Sequence, residues 1–186
     1  MILEAIVTTL NEDRSVNISP MGPTVSEDLS QFELRPFPSS KTFANLKRSR
    51  VGVMHITDDV ELFARAAIGE LTSLPELVPA NRVDGLAIAD VCRWIEFEVT
   101  SIDETGQRMS LICNSVHAHR QRDFFGFNRA KHAVLEAAIL ATRIGLLPAE
   151  EIADQFSRLA IIVDKTGGAA EHRAFDLLAA YLKKSL

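Results

Sequence analysis

Along residues 2 to 10, "ILEAIVTTL", apolar and β-branched side chains fall on both parities. That is the pattern of a strand covered on its two faces. After a polar turn, "NEDRS", the stretch "VNISPM" (16 to 21) alternates: Val16 and Ile18 on one face, Asn17, Ser19 and Met21 on the other. The two runs predict a hairpin, and "PMGP" ends it because proline cannot continue a central ladder. From Leu34 to Ser49, "LRPFPSSKTFANLKRS", two prolines enforce an extended path before small polar residues take over. "RVGVMHI" (50 to 56) predicts the next strand. A helix follows, with Asp58 as N-cap, Glu61 three residues on, and Val60, Phe63, Ala67 and Leu71 as its buried stripe. "LTSLPELVPANRVDG" reads as a loop. Residues 90 to 100 and 108 to 118 flank "DETGQ" and predict a long hairpin, with Ile95, Phe97 and Val99 inward and Glu96, Glu98 and Thr100 on a wet face.

After Gly126 the period changes to that of helices. The first is predicted over 128 to 145. Pro148 opens a second, with Ile152, Phe156, Leu159 and Val163 on one stripe and Gly167 and Gly168 as its stop. A third fills 169 to 184 behind Phe175, Leu178 and Leu182. Strands first and helices afterwards predict an α+β chain: a β-barrel or sheet followed by a C-terminal helical lobe.

Composition narrows the classes. A formal net charge of −5 argues against bulk electrostatic binding of nucleic acid, though not against a local anion site. Two cysteines, Cys92 and Cys113, without a CxxC pair fit buried free thiols in a reducing cytosol. The N-terminus has no basic residues before its short apolar run, and no stretch approaches the about 18 apolar residues of a membrane span. The expectation is a cytoplasmic protein with neither nucleic acid nor membrane as partner.

Three places offer chemistry. The helix predicted to begin at Asn128 carries Arg129, Lys131 and His132 in its first turn, where free backbone N–H groups already place positive charge. On a helical wheel Arg129, His132, Glu136 and Arg143 share a narrow stripe. Ala130, Ala133, Val134, Ala137, Ala138, Ala141 and Ile144 cover most of the rest, so the helix is expected to be buried on several sides. An anion bound there would relieve the first turn; alternatively Glu136 neutralises His132 and an acid such as Asp123 pairs the arginine. Second, Arg35, Lys41, Lys47, Arg48 and Arg50 are interleaved with Ser39, Ser40, Thr42 and Asn45, and no carboxylate occurs from Leu34 through Thr57. That pattern suits a small phosphate-bearing ligand or is a solvated basic loop. Third, the polar face of Asn17, Ser19 and Met21, ended by Gly22, could offer hydrogen bonds along a flat heterocycle, or could be an edge strand facing water.

Other signals fail. There is no GxGxxG after a strand and no P-loop. His117, His119 and Cys113 lack a fourth metal ligand at recognisable spacing, so no metal site is assigned. No Ser/His/Asp set can be assembled, and no catalytic acid or base is named: His117 and His132 are candidates by residue type alone.

The blocks "ILEAIVTTLNEDRSVNISPMGP", "RPFPSSKTFANLKRSRVGVMHITDDVELFARAA" and "RDFFGFNRAKHAVLEAAILATRIGLLP" resemble an uncharacterised prokaryotic domain-of-unknown-function family, itself similar to the flavin-reductase-like FMN-binding split barrels. The resemblance implies a split-barrel flavin-binding domain over 1–126 and a C-terminal three-helix extension over 127–186 packed on it. It implies a homodimer with FMN at the interface. The flavin phosphate would then lie against Arg35, Ser39, Ser40, Thr42 and Asn45, and the isoalloxazine ring against Asn17, Ser19, Met21 and Gly22. Asn128, Arg129, Lys131 and His132 would hold a second anion, either a small substrate or the partner subunit's flavin. The implied activity is that of an oxidoreductase on a small anionic substrate, with NAD(P)H as the reductant by analogy. A non-catalytic flavin or small-anion carrier, an interaction dimer with a vestigial groove, and a groove for haem or a pterin-like ring remain alternatives.

Overall fold

The structure is a computed structural model that describes residues 1–185. Its described residues divide into two compact units: 1–57 with 74–124, and 58–73 with 125–185.

The first unit is built on antiparallel strands: β1 (Ala5–Leu10), β2 (Val16–Met21), β3 (Thr24–Val25) and β4 (Gln31–Leu34) precede helix α1 (Lys41–Ser49) and β5 (Val51–Ile56). Later in the chain come the rest of the described elements: α2 (Val60–Ala67), β6 (Leu77–Pro79), β7 (Leu86–Ile88), β8 (Arg93–Asp103), β9 (Ser110–Arg120), α3 (Arg129–Ala141), α4 (Ala149–Thr166) and α5 (Ala169–Ser185). Seven strands form one sheet in the order β2-β1-β5-β8-β9-β4-β3, curled into a half-barrel. Every residue of β1 is buried, as its two-faced apolar pattern predicts, because it lies between β2 and β5 with cover on both sides. Pro20 is tolerated in β2 because that strand is an edge.

Three readings of this unit are corrected. The stretch from Lys41 to Ser49 is a helix, not an extended segment. Ser40 is its N-cap, Oγ accepting from the Phe43 N–H, and Phe43 and Leu46 supply its buried spacing. Lys47 and Arg48 stand in its last turn, where they complement the dipole. The predicted loop ending at Gly85 holds a strand, β6, which pairs with β7 just beyond it in a small two-stranded sheet. The wet face assigned to the long hairpin is wet only toward its turn: Glu98 and Thr100 are exposed, but Glu96 is wholly buried. Its carboxylate accepts from the backbone N–H groups of Asn81 (2.8 Å), Arg82 (2.6 Å) and Val83 (3.2 Å), and from Trp94 Nε1 (3.3 Å). Burial raises its pKa, but these donors outweigh burial and hold it below the ordinary carboxylate value.

In the second unit α2, α3, α4 and α5 share a core that includes Val60, Ala64, Ala133, Val134, Ala137, Ile152, Phe156, Phe175 and Leu178. The alanines of α3 allow close approach of neighbouring backbones. The N-cap of α2 is Asp59 rather than Asp58, its Oδ1 accepting from the Glu61 and Leu62 N–H groups at 3.0 Å each. Asp58 instead accepts from the Phe125 N–H at 2.8 Å. The charged stripe of α3 is not enclosed: Arg129, His132, Glu136 and Arg143 are all exposed, the apolar cover falling on the other faces. Among the described residues no helix is long and apolar enough to cross a membrane.

Candidate functional site

β2 pairs with β1 in a register that sets Asn17 opposite Thr9, Ser19 opposite Val7 and Met21 opposite Ala5. At Asn17 the polar face of β2 is covered by α1 rather than turned to water. Asn17 Nδ2 donates to Thr42 Oγ1 at 3.0 Å and, more weakly, to Thr9 Oγ1 at 3.3 Å. Asn45 Nδ2 donates to Thr9 Oγ1 at 3.0 Å and to Asn11 Oδ1 at 2.8 Å. Thr42 and Asn45 are buried, and this network is what their polar atoms hold. A helix covering a polar strand face must satisfy the amides and hydroxyls it encloses, and these five side chains do so, with the Asn17 and Asn45 amides as the donors.

Farther along the same strand the cover ends. Pro20, Met21 and Gly22 line a recess of about 340 Å³ with Arg35 and Arg108. Met21 also packs on the barrel core. At Gly22 an added Cβ would meet Ile2 Cγ2 at 3.2 Å, so the missing side chain also suits packing against the N-terminal segment. Ser39 is exposed, and Ser40 is half-buried with Oγ donating to the Phe37 carbonyl at 2.8 Å. The first turn of α1 carries no acidic residue. The structure thus brings Met21, Gly22 and Arg35 together on one wall, and places Thr42 and Asn45 on the buried face of α1.

Arg108 is the residue the sequence reading missed. It lies just past the "DETGQ" turn between β8 and β9, some 70 residues from Arg35 in the chain. Its Nη1 donates to the Arg35 carbonyl at 3.3 Å, and its guanidinium lies over the Phe37 ring with Cζ 3.3 Å from the centroid. Burial and then the charge of Arg35 lower its pKa from the ordinary arginine value. Nothing local in "GQRMS" signals this, because the pairing of β9 with β4 alone creates it.

Of the remaining cations, Lys47 pairs with Glu104 at 2.7 Å, and Arg48 donates to the Leu10 carbonyl at 2.5 Å. A wider cleft of about 500 Å³ beside Lys41, Asn45 and Arg48 also contains Glu12 and Asp13, so its field is mixed. The recess at Arg35 and Arg108 is the more cationic of the two.

At the start of α3, Asn128 caps the helix: Oδ1 accepts from the Lys131 N–H at 3.1 Å, and Nδ2 donates to the Thr166 carbonyl at 3.1 Å. Lys131 Nζ reaches the Asp58 carbonyl at 2.7 Å and Glu171 Oε1 at 2.9 Å. His132 Nε2 stands 3.9 Å from Glu136 Oε1. Asp123 pairs with Arg120 rather than with Arg129. Much of the first-turn charge therefore meets internal partners, while Arg129 and His132 face solvent.

His119 stacks on Trp94, ring centroids 4.1 Å apart, and Cys113 is buried with its thiol pushed up to about 12 by desolvation. Among the described residues no group of three His, Cys, Asp or Glu side chains could hold a metal ion.

Comparison with known proteins bears on both units. An FMN-bound protein of Methanosarcina mazei is similar over 97% of this chain and 94% of its own, with 25% identity and a TM-score of 0.83. The 2-nitrobenzoate 2-nitroreductase of Pseudomonas fluorescens matches over 63% of this chain and 64% of its own, at 19% identity and a TM-score of 0.52. The flavin reductase of the Pseudomonas putida styrene monooxygenase matches over 63% and 77%, at 14% identity and a TM-score of 0.52. The last two likenesses show the fold alone; with the first they make it α+β, of the flavin-reductase-like FMN-binding split-barrel type, with a C-terminal three-helix extension. No curated protein matches the chain. Residues 3–122 match the N-terminal domain described as a protein of unknown function, DUF447, and residues 128–180 match the second domain of that description. The chain belongs to the DUF447 family.

Proposed function

We propose that the protein binds FMN and acts as a flavin-reductase-like oxidoreductase on a small anionic substrate, as a homodimer with the flavin at the subunit interface. One observation carries the reading: a structure 25% identical and superposable over 97% of the chain is that of an FMN-bound protein. The residues present here fit the cofactor. The recess pairs an apolar wall at Pro20 and Met21 with two guanidinium groups, which suits a flat ring joined to a phosphate.

FMN, when bound, supplies the hydride and electron chemistry; the chain supplies binding, orientation and electrostatics. Met21 and Gly22, with Asn17 and Ser19 behind them, would meet the ring. Arg35, Ser39 and Ser40 would meet the phosphate beside the acid-free first turn of α1. Thr42 and Asn45 would serve that site through the network that seats α1 on β2, as positioning residues. An anionic substrate would be recognised by Arg129 and His132, the exposed pair at the start of α3. NAD(P)H is the proposed reductant.

The second reading is a non-catalytic flavin or small-anion carrier on the same dimeric fold. One experiment separates them. Freshly purified protein is expected to show flavin absorbance that persists through gel filtration at the elution volume of a dimer. It should then bleach anaerobically with NAD(P)H. Retained colour without bleaching supports the carrier. Colourless protein that gains nothing from added FMN overturns both readings.

A further inference from the structure

Arg35 and Arg108 line one recess, and Glu4 Oε1 lies 3.8 Å from where a Cβ on Gly22 would stand in the same lining. The nearest acid to Arg35 is Glu33, whose Oε1 stands 3.8 Å from Nε and already accepts from Ser110 Oγ at 2.6 Å. Among the described residues no carboxylate pairs with Arg108. Two like charges held beside one recess are unfavourable until an anion enters, and each guanidinium presents a fork that matches a phosphate edge. The arrangement is also pre-set. The Met109 N–H donates to the Pro36 carbonyl at 3.1 Å, tying the hairpin end to the Arg35 segment. Phe37, an exposed ring, carries the Arg108 guanidinium flat on its face, and Arg108 Nη1 is held by the Arg35 carbonyl. An arginine fixed in this way loses little further side-chain freedom when a ligand arrives.

We infer that Arg108 closes, with Arg35, a two-guanidinium clamp for a phosphate monoester dianion, and that Arg108 sets the preference for a phosphorylated ligand over its dephosphorylated form. The identity of that ligand rests on the flavin reading. The phosphate could come from the flavin itself or from the 2′-position of a nicotinamide dinucleotide, and the two sources separate experimentally.

Flavin-free protein, wild type and the Arg108→Gln and Arg108→Lys variants, is titrated with FMN and with riboflavin by flavin fluorescence. The protein loaded with FMN is then titrated calorimetrically with NADP+ and with NAD+. Arg108 is exposed, so the variants are expected to fold, and a circular-dichroism melt confirms it. If the clamp holds the flavin phosphate, Arg108→Gln weakens FMN by about tenfold or more and leaves riboflavin unchanged, with Arg108→Lys in between. If it holds a dinucleotide phosphate, FMN is untouched and NADP+ weakens relative to NAD+. Unchanged ratios in both arms overturn the clamp while leaving the flavin reading standing. If wild type binds neither flavin, the flavin reading falls, and the clamp is decided by NADP+, NAD+ and inorganic phosphate on the flavin-free protein.

Discussion

The ammonium of Lys131 lies 2.9 Å from the carboxylate of Glu171, joining the first turn of α3 to the first turn of α5. Glu171 is only 7% exposed, and Lys131 also donates to the Asp58 carbonyl. Burial raises the Glu171 pKa, but Lys131 and the Gly168 N–H outweigh it and leave the carboxyl below its ordinary value. Lys131→Met should strand a buried carboxylate at a cost of about 3 kcal/mol. Thermal and urea denaturation measure it, and Lys131→Met with Glu171→Gln should recover part of the loss. A Lys131 variant of unchanged stability that loses ligand binding instead would mean the ammonium serves a ligand and not the helical core.

Asn45 and Thr42 carry an analogous test for the barrel. Asn45→Ala removes the donor shared by Thr9 and Asn11, and Thr42→Val removes the acceptor of Asn17. Each should destabilise by about 1–3 kcal/mol, the range for stranding buried polar groups. Flavin affinity should then fall only as far as α1 is displaced. Equilibrium unfolding read together with FMN titration distinguishes this from direct contact: full stability with lost FMN affinity would make the side chains ligands.

How far the sequence told this story depends on whether a signal was local. β1, β2, β5, the β8–β9 hairpin and the three C-terminal helices were legible because their periodicity and caps lie within each segment. The helix at Lys41–Ser49 was hidden by the prolines before it, although Ser40 as cap, Phe43 and Leu46 three apart, and basic residues in the last turn were all present. Glu96 was misread because alternation reports only which residues share a face; the wall of N–H groups at residues 81–83 comes from another segment. In the candidate site Met21, Gly22 and Arg35 were legible as a polar strand end and a basic stretch. Arg108 was not, since only strand pairing brings it there.

His55 governs the mild-acid behaviour. Its ring is fully buried, with Nδ1–H donating to the Ile6 carbonyl at 3.0 Å and Nε2 accepting from the Ile88 N–H at 3.0 Å. Accepting from Ile88 needs the neutral imidazole, whereas the bond to Ile6 survives protonation, and burial lowers the pKa from 6.5 to about 4 against that bond. With the folded value depressed, the unfolded chain takes up the proton first, so stability falls as pH drops from 6.5 toward 4. It is not affected above that window. The loss approaches about 3 kcal/mol by pH 4. Glu96 and Glu171, with lowered pKa values, add their losses only below the ordinary carboxylate range. Urea midpoints at pH 7.5, 6 and 5 should show the slope, and His55→Gln, which keeps a donor and an acceptor but does not titrate, should flatten it.

Gly52 tests how tightly the barrel core is closed. It lies in β5 opposite Phe97 of β8, and an added Cβ would fall 2.6 Å from Phe97 Cζ and 3.2 Å from the Thr8 carbonyl oxygen. Neither neighbour has room to yield. Phe97 is wholly buried and meets Phe32 edge to face at 5.2 Å, and Thr8 belongs to the fully buried strand β1. Gly52→Ala therefore has to move a packed ring or part a strand pair, at about 1–3 kcal/mol. The same substitution at Gly69, where φ is +73° and nothing lies within 4 Å, tests backbone strain without crowding. Melting curves of the two variants should differ in a telling way: adding Phe97→Leu should rescue Gly52→Ala in part, by opening space, and should do nothing for Gly69→Ala. Equal behaviour of both double variants would mean that the close approach of β5 to the Phe97 ring is not what requires glycine at position 52.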